Sequence, residues 1–567
     1  MNFSFSLNDQ ELEKGAYKMK KRTYHLLLMT ALLACGSLLG ACGAGNQEEA
    51  AGDKPREQVF RMNIASEPPT LDPGQAQDNN SNTIINAIFE GLTRKGPDGE
   101  EVPGTAESWT ISEDGLTYVF SLRQDAKWSN GDPVTAKDFE YAWKRVLDPS
   151  FAPAPPYAYQ LYYIKNAEAY NLGELDQAED VGVKATDDYT LEVTLENPTP
   201  YFLSLMSFQT YFPLHASVKD NEKWATQPET LIGNGPFKLA SMTKGQKIEM
   251  VKNDQYWDQD NIKLEKVQMS IVNSSATELS SYRNNELDYA GHPVGNIPTD
   301  QLAAVKEQMP DELNIKGISS TYFYVFNTTQ EPFDNVNIRK AFSMAIDRQA
   351  IVDKITQGGQ LPAYGFVPPG IKGKEEEFRT EVSENYFEEN IEEAKQLLEQ
   401  GMKEKGYTEL PAVTLIYNSD DNHKKIALAI VDMWKKNLGV NVSVQNQEWG
   451  VFLKNRTDLN YQIARAGWGA DYNDPMTYID IWKTGSGNND TGFSNAVYDQ
   501  LVEDAYATDD HTQRMDLMAQ AEKILVQEQQ IVMPIYYYSS VSLIKPWMKG
   551  IGIDFKGDID FTRAYVE

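Results

Sequence analysis

A-E-S-W-T-I-S-E-D-G-L-T-Y-V-F-S-L-R-Q-D-A-K-W-S-N-G-D-P-V-T-A-K-D-F-E-Y-A-W runs from Ala106 to Trp143. Within it, Thr117-Tyr118-Val119-Phe120-Ser121-Leu122 alternates apolar and polar side chains, as a half-buried strand does. Asn130-Gly131-Asp132-Pro133 reads as a turn. Thr135 is placed to cap a helix, with Asp138 three residues on. Phe139, Trp143 and Val146 then recur on one helix face. Strand, turn and amphipathic helix follow one another in a short run, which points to an α/β fold.

The same alternation recurs outward from this run. Val59 to Ile64 reads as a strand, and Asn80 to Leu92 as a helix ending at Gly91, with Ile84, Ile85, Ile88 and Phe89 inward. Asn390 to Lys405 predicts a helix with Ile391, Ala394, Leu397 and Leu398 inward. Asp420 to Leu438 predicts another, through Ile426, Ile430 and Trp434, followed by a strand over Val440 to Val444. Thr512 to Gln527 reads as a late helix and Ile535 to Ile544 as a late strand.

The chain has 567 residues, too many for one core, so several lobes are expected. Its net charge of −31 argues against nucleic acid, which needs a basic footprint, and against direct contact with an anionic membrane. Five histidines lie far apart, and H-E-x-x-H, paired C-x-x-C and G-x-x-x-x-G-K-[ST] are all missing, which disfavours a zinc hydrolase or a P-loop NTPase. No G-x-S-x-G supports a peptidase.

The first residues read as an address. Lys20, Lys21 and Arg22 precede the apolar run Leu26 to Leu39, and Leu39-Gly40-Ala41-Cys42 closes it. Residues 1–42 are expected to be a signal peptide ending in a lipobox, with Cys42 the lipidated residue. Met19 looks like the natural start, since Asp9, Glu11 and Glu13 are out of place ahead of such a segment. No cysteine follows Cys42, so disulfides are not expected despite export. Residues 43–55 are small and polar and read as a flexible tether.

A second stretch carries the chemistry: R-A-G-W-G-A-D-Y-N-D-P, Arg465 to Pro475. Asp471 sits among small residues and aromatics, a setting that suits an ammonium group held away from water. Gly467 and Gly469 lack a Cβ and are expected to let a ligand backbone come close. Trp468 and Tyr472 add apolar surface with a polar handle. By composition alone the stretch reads first as a loop with a solvated acid and two core aromatics.

The Ala106–Trp143 run resembles the signature of the extracellular solute-binding proteins of family 5, the oligopeptide-binding lipoproteins that serve ABC importers of the Gram-positive type. The resemblance continues through Asn234-Gly235-Pro236-Phe237-Lys238-Leu239, Lys252-Asn253-Asp254-Gln255-Tyr256-Trp257-Asp258, Val336-Asn337-Ile338-Arg339-Lys340-Ala341, Ala345-Ile346-Asp347-Arg348 and Val367-Pro368-Pro369-Gly370. It implies a two-lobe periplasmic-binding-protein-like fold with an extra small domain, closing by a hinge around its ligand. Lobe I would be residues 56–90, 215–318 and 540–567, the extra domain 91–214, and lobe II 319–539.

The resemblance also implies roles. Asp471 would pair with a peptide α-amine, and Gly467, Trp468 and Gly469 would supply backbone contacts. His423, Arg456 and Arg465 would be cationic positions that meet the peptide carboxylate at different lengths. Trp449 and Tyr322 would be pocket walls. Read without the resemblance, His423 is a helix-start residue, Arg456 a surface charge and Arg465 half of an internal ion pair. One position that some members use for the carboxylate falls near Thr356, which is uncharged. The implied protein is a monomeric, non-enzymatic receptor without cofactor, lipid-anchored at the outer face of the cytoplasmic membrane. Its partners would be oligopeptides and the permease subunits of an ABC transporter, not nucleic acid. A signalling-peptide receptor is the alternative within this fold; dipeptide, nickel, haem or sugar binding, a peptidase and an adhesin are further ones.

Overall fold

The computed structural model describes residues 56–567 except 97–99, 222 and 384, and Arg56–Glu567 forms one compact unit. The signal peptide, Cys42 and the tether lie outside the described residues. Three sheets organise the rest. In the first, Val59–Ile64 pairs in parallel with Lys266–Ile271, and Lys247–Lys252 and Phe237–Thr243 follow antiparallel. The second is antiparallel and four-stranded, in the order Ala106–Ile111, Thr117–Leu122, Thr190–Thr194, Val183–Ala185. Tyr118, Phe120 and Leu122 are its buried set, as the alternation requires. Helix Ala136–Leu147 lies on this sheet through Phe139, Trp143 and Val146, and Asp138 reaches back to the Thr135 N–H at 2.8 Å.

The third sheet links the lobes of this mixed α/β fold. Its seven strands include two long antiparallel ones, Leu313–Phe326 and Val532–Ile544. At one end Tyr289–Gly291 pairs with Ser542–Ile544, and Asp288, just before it, donates to the Arg61 carbonyl beside the first sheet. At the other end Leu313–Phe326 takes Ile463–Gly469 as its neighbour, followed by Val413–Asn418 and Val442–Gln447. The pairing of the two long strands shifts register between Gly317 and Thr321.

The core of the second lobe is aromatic. Phe326 stacks on Phe333, Phe333 meets Phe342 edge-on, and Phe342 meets Trp434 at 4.9 Å. Helix Asp421–Leu438 buries Ile426, Ile430 and Trp434, the face its periodicity predicts. Helix Ile391–Lys405 corrects one expectation. It packs on helix Val336–Met344 with Ala394, Leu398 and Gly401 buried, whereas Ile391 is 42 % exposed in its first turn. The strand expected at Val440–Val444 runs over Val442–Gln447, and the helix expected to end at Gly91 stops at Ile88.

Candidate functional site

Strand Ile463–Gly469 has one satisfied edge and one open edge. Ala470 donates to the Ser319 carbonyl and Gln462 accepts from the Asn327 N–H, both at 3.1 Å. Even-numbered positions therefore face Leu313–Phe326, and the alternation of an antiparallel pair turns the N–H and C=O of Arg465, Gly467 and Gly469 the other way. On that side Val413–Asn418 pairs only at Ile463 and Ala464. From Arg465 onward no described strand covers the edge. Such an edge is a template for an added strand.

Gly467 and Gly469 have a reason to be small besides the one expected of them. A Cβ on Gly467 would meet the Tyr538 hydroxyl at 3.0 Å and Arg465 Nη2 at 3.2 Å; one on Gly469 would meet Ser320 Oγ at 3.0 Å. The missing Cβ makes room for protein side chains on the sheet face, while a ligand strand would come in along the edge. Gly467→Ala is expected to cost on the order of 1 kcal/mol through overpacking and to weaken ligand binding severalfold by displacing the Tyr538–Arg465 pair. Unchanged thermal unfolding and affinity would contradict it.

Beyond Gly469 the chain turns, and Asp471 stands at the end of the open edge. Its N–H donates to Thr477 Oγ1 at 3.0 Å, and its Oδ2 accepts from Gln160 Nε2 at 2.8 Å and from Thr477 Oγ1 at 3.3 Å. The Trp468 indole fixes the turn by donating to the Thr477 carbonyl, and Tyr478 does so by donating to the Ser319 carbonyl. Burial raises the Asp471 carboxyl to about 7, against the opposing charge of Lys556 and the hydrogen bonds from Thr477 and Gln160. Asp471 also lines a cavity of about 2380 Å³, shared with Asp480, Tyr163, Tyr201, Arg514 and Lys556. The other residues proposed from the sequence do not line that cavity.

Arg465 stands at the other end of the edge. Its guanidinium donates to the Tyr538 hydroxyl and lies over the Tyr322 ring, 4.8 Å from the centroid. Tyr322 stacks on Tyr536 at 4.7 Å, and the His423 ring is 5.5 Å from Tyr322. Among the described residues no carboxylate pairs with Arg465 within 4 Å, so its charge is available. His423 is not the cation expected of it. Burial and the neighbouring Arg465 charge push its imidazole well below the usual range, so it is neutral at pH 7. Its backbone N–H donates to Asp420, which caps helix Asp421–Leu438.

The remaining expected residues sit apart. Arg456, on helix Trp449–Thr457, is paired with Asp490 at 2.8 Å, which neutralises the charge assigned to it. Trp449 stacks on Phe452, with its indole beside Asp78 of the first lobe. Thr356 is buried, its hydroxyl on the Val352 carbonyl. Among the described residues, no group of three or more His, Cys, Asp or Glu could hold a metal ion.

Both ends of the edge are bridged to the first lobe. At the Arg465 end, Asn296 donates to Asp420 at 2.8 Å, Asn422 to the Ile297 carbonyl, and Lys425 pairs with Asp300. At the Asp471 end, Tyr163 meets Tyr472 hydroxyl to hydroxyl at 3.1 Å, Tyr201 stacks flat on Tyr472 at 4.7 Å, and Lys483 pairs with Glu168. These contacts hold the lobes together over the edge. Sequence reading missed Gln160, Tyr163, Tyr201, Asn296 and Tyr538, because nothing local marks a residue that meets its partner across a cleft.

The match to "Bacterial extracellular solute-binding proteins, family 5 Middle" covers residues 100–490. The chain belongs to family 5. Among family 5 relatives, the oligopeptide-binding protein OppA of Bacillus subtilis is 43 % identical over 96 % of this chain and 100 % of its own length. The dipeptide-binding protein DppE of the same organism is 42 % identical over 96 % and 99 %. Haemophilus influenzae OppA in complex with the peptide RPPGFSPFR superposes with a TM-score of 0.83, at 34 % identity, over 90 % of this chain and all of that one. The unliganded open form of the murein tripeptide-binding protein MppA reaches only 0.59 at the same identity, over 90 % and 97 %. The lobes here are therefore arranged as in the peptide complex and not as in the open form, in keeping with the contacts that bridge them.

Proposed function

We propose that this chain is an exported receptor that captures oligopeptides between its lobes and passes them to the membrane permease of an ABC importer. The observation that carries this reading is the uncovered strand edge Arg465–Gly469, with a partly buried acid at one end and, at the other, a guanidinium that no described carboxylate pairs. An extended peptide bonds to such an edge through its main chain, which gives affinity without reading side chains. Several family 5 relatives are named as oligopeptide-binding proteins, which supports the same cargo. Arg465 and Asp471 are six positions apart, at most about 20 Å at about 3.3 Å per residue. With the peptide amine on Asp471 and its carboxylate on Arg465, peptides of roughly three to five residues fit between them.

Cys42 is proposed to carry the lipid anchor, with residues 43–55 as the tether and the mature protein a monomer. The lobe boundaries at 318/319 and 539/540 are proposed to be the hinge, since the two long strands slip register beside them. The receptor performs no chemistry on its cargo.

Native mass spectrometry of the mature protein, as purified and after unfolding and refolding, tests the reading. A mixed set of short peptides is expected, removed by unfolding. Saturating one of them at about 100 times its Kd should stabilise the refolded protein by roughly 2.7 kcal/mol. One defined peptide would narrow the role to a signalling receptor. Metal, haem or sugar in place of peptide would sink the proposal.

A further inference from the structure

Gln160 reaches Asp471 from the opposite lobe. It lies in the single turn Ala158–Leu161, with its carbonyl held by the Tyr211 hydroxyl, and it is 1 % exposed. Its Nε2 donates to Asp471 Oδ2 at 2.8 Å. Only the NH2 of an amide can donate to a carboxylate, so this contact sets the sense of the side chain and leaves Oε1 as its acceptor. Oε1 is buried and takes no hydrogen bond from any described residue. Asp471 shows the same asymmetry. Oδ2 takes both Gln160 and Thr477, while Oδ1 takes no hydrogen bond from a described residue. Lys556, whose charge acts on Asp471, is bound to Asp558 at 2.8 Å.

A buried acceptor without a donor costs about 1–3 kcal/mol, and native proteins retain few of them without a reason. A primary ammonium carries three N–H donors, more than one carboxylate oxygen can take. A planar amide sets its oxygen about 2 Å from its nitrogen. Oε1 therefore lies within about 5 Å of the Asp471 carboxylate, a span that one nitrogen bridges at about 2.9 Å to each acceptor.

We propose that Gln160 is a ligand-binding residue, its Oε1 accepting one N–H of the peptide α-ammonium while Asp471 Oδ1 accepts another. The ammonium is then gripped from both lobes at once. Asp471 is present in the second lobe whatever the lobe arrangement, but Gln160 joins it only when the lobes meet, so amine recognition and closure become one event. This inference rests on the peptide-receptor reading.

The test is a cycle of two peptides and two receptors, measured by titration calorimetry: tetra-alanine and its des-amino analogue, against wild type and Gln160→Leu. Wild type should favour the free amine by about 100-fold, and Gln160→Leu by about tenfold or less, a coupling that a mere brace between the lobes does not produce. If Gln160→Leu weakens both peptides by one factor, Gln160 merely braces the closed lobes, and the proposal fails; it fails also if neither affinity changes. Thermal unfolding is followed in parallel, and Gln160→Met replaces Leu should the latter lower the midpoint. Failure of wild type to bind either peptide would overturn the receptor reading, a result distinct from loss of the coupling alone.

Discussion

Replacing Asp471 by alanine is expected to weaken binding of a free-amine tetrapeptide by about 100-fold, within the roughly 2–5 kcal/mol that follows when one partner of a desolvated charge pair is removed. The acid is enclosed at the end of the open edge, so its bond to an ammonium is charge-assisted and little screened by water. N-acetylation of the peptide should cost the wild type a similar factor and the variant almost nothing more.

The same site carries a pH signature. With the lobes together and no ligand present, burial raises the Asp471 carboxyl to about 7, and an ammonium ligand requires its ionised form. Below pH 7 a proton must leave before the ligand binds, so affinity should fall by up to tenfold per unit of acidification. Above about pH 8 the peptide α-amine itself loses its proton, and affinity falls again. Calorimetry from pH 5 to pH 9 should give a maximum between about 7 and 8. The acid limb should vanish in Asp471→Ala. A flat profile in wild type would remove Asp471 from the amine site.

Arg465→Met is expected to cost about 30- to 100-fold for a peptide whose free carboxylate reaches it, and little for the C-terminal amide of the same peptide. The guanidinium lies over Tyr322, is bonded to Tyr538, and pairs with no carboxylate among the described residues. His423 beside it is neutral, so Arg465 carries the positive charge of this cluster. Arg465→Lys should recover only part of the loss, because an ammonium neither stacks on the tyrosine nor forms a forked bond. Measured over peptides of two to seven residues, the penalty should peak at the length that spans Asp471 to Arg465. An equal penalty for acid and amide at every length would make Arg465 a structural residue.

Much of the fold was legible because short-range order follows burial periodicity. Thr117–Leu122 alternates and forms a half-buried strand. Thr135 and Asp138 form a capping box before Ala136–Leu147. Ile426, Ile430 and Trp434 line one face and are buried. Asp471 stood out by its neighbours. Where local pattern and tertiary contact part, the pattern misleads. Ile391 keeps the helical spacing of its buried neighbours but lies in a first turn that the partner helix does not cover.

Read without its fold, the chain already carries the α/β class, the family resemblance, and an acid among glycines and aromatics at the end of a strand. The tertiary structure alone decided which charges survive. Arg456 and His423 look as cationic as Arg465 in the sequence. Asp490 neutralises the first, burial beside Arg465 deprotonates the second, and Arg465 itself pairs with no described carboxylate. It also decided that Gln160, 311 residues from Asp471 along the chain, meets it across the cleft. The physical reason is range. Periodicity and capping act within a few turns of one segment, whereas desolvation, ion pairing and closure depend on which distant segments fold against each other.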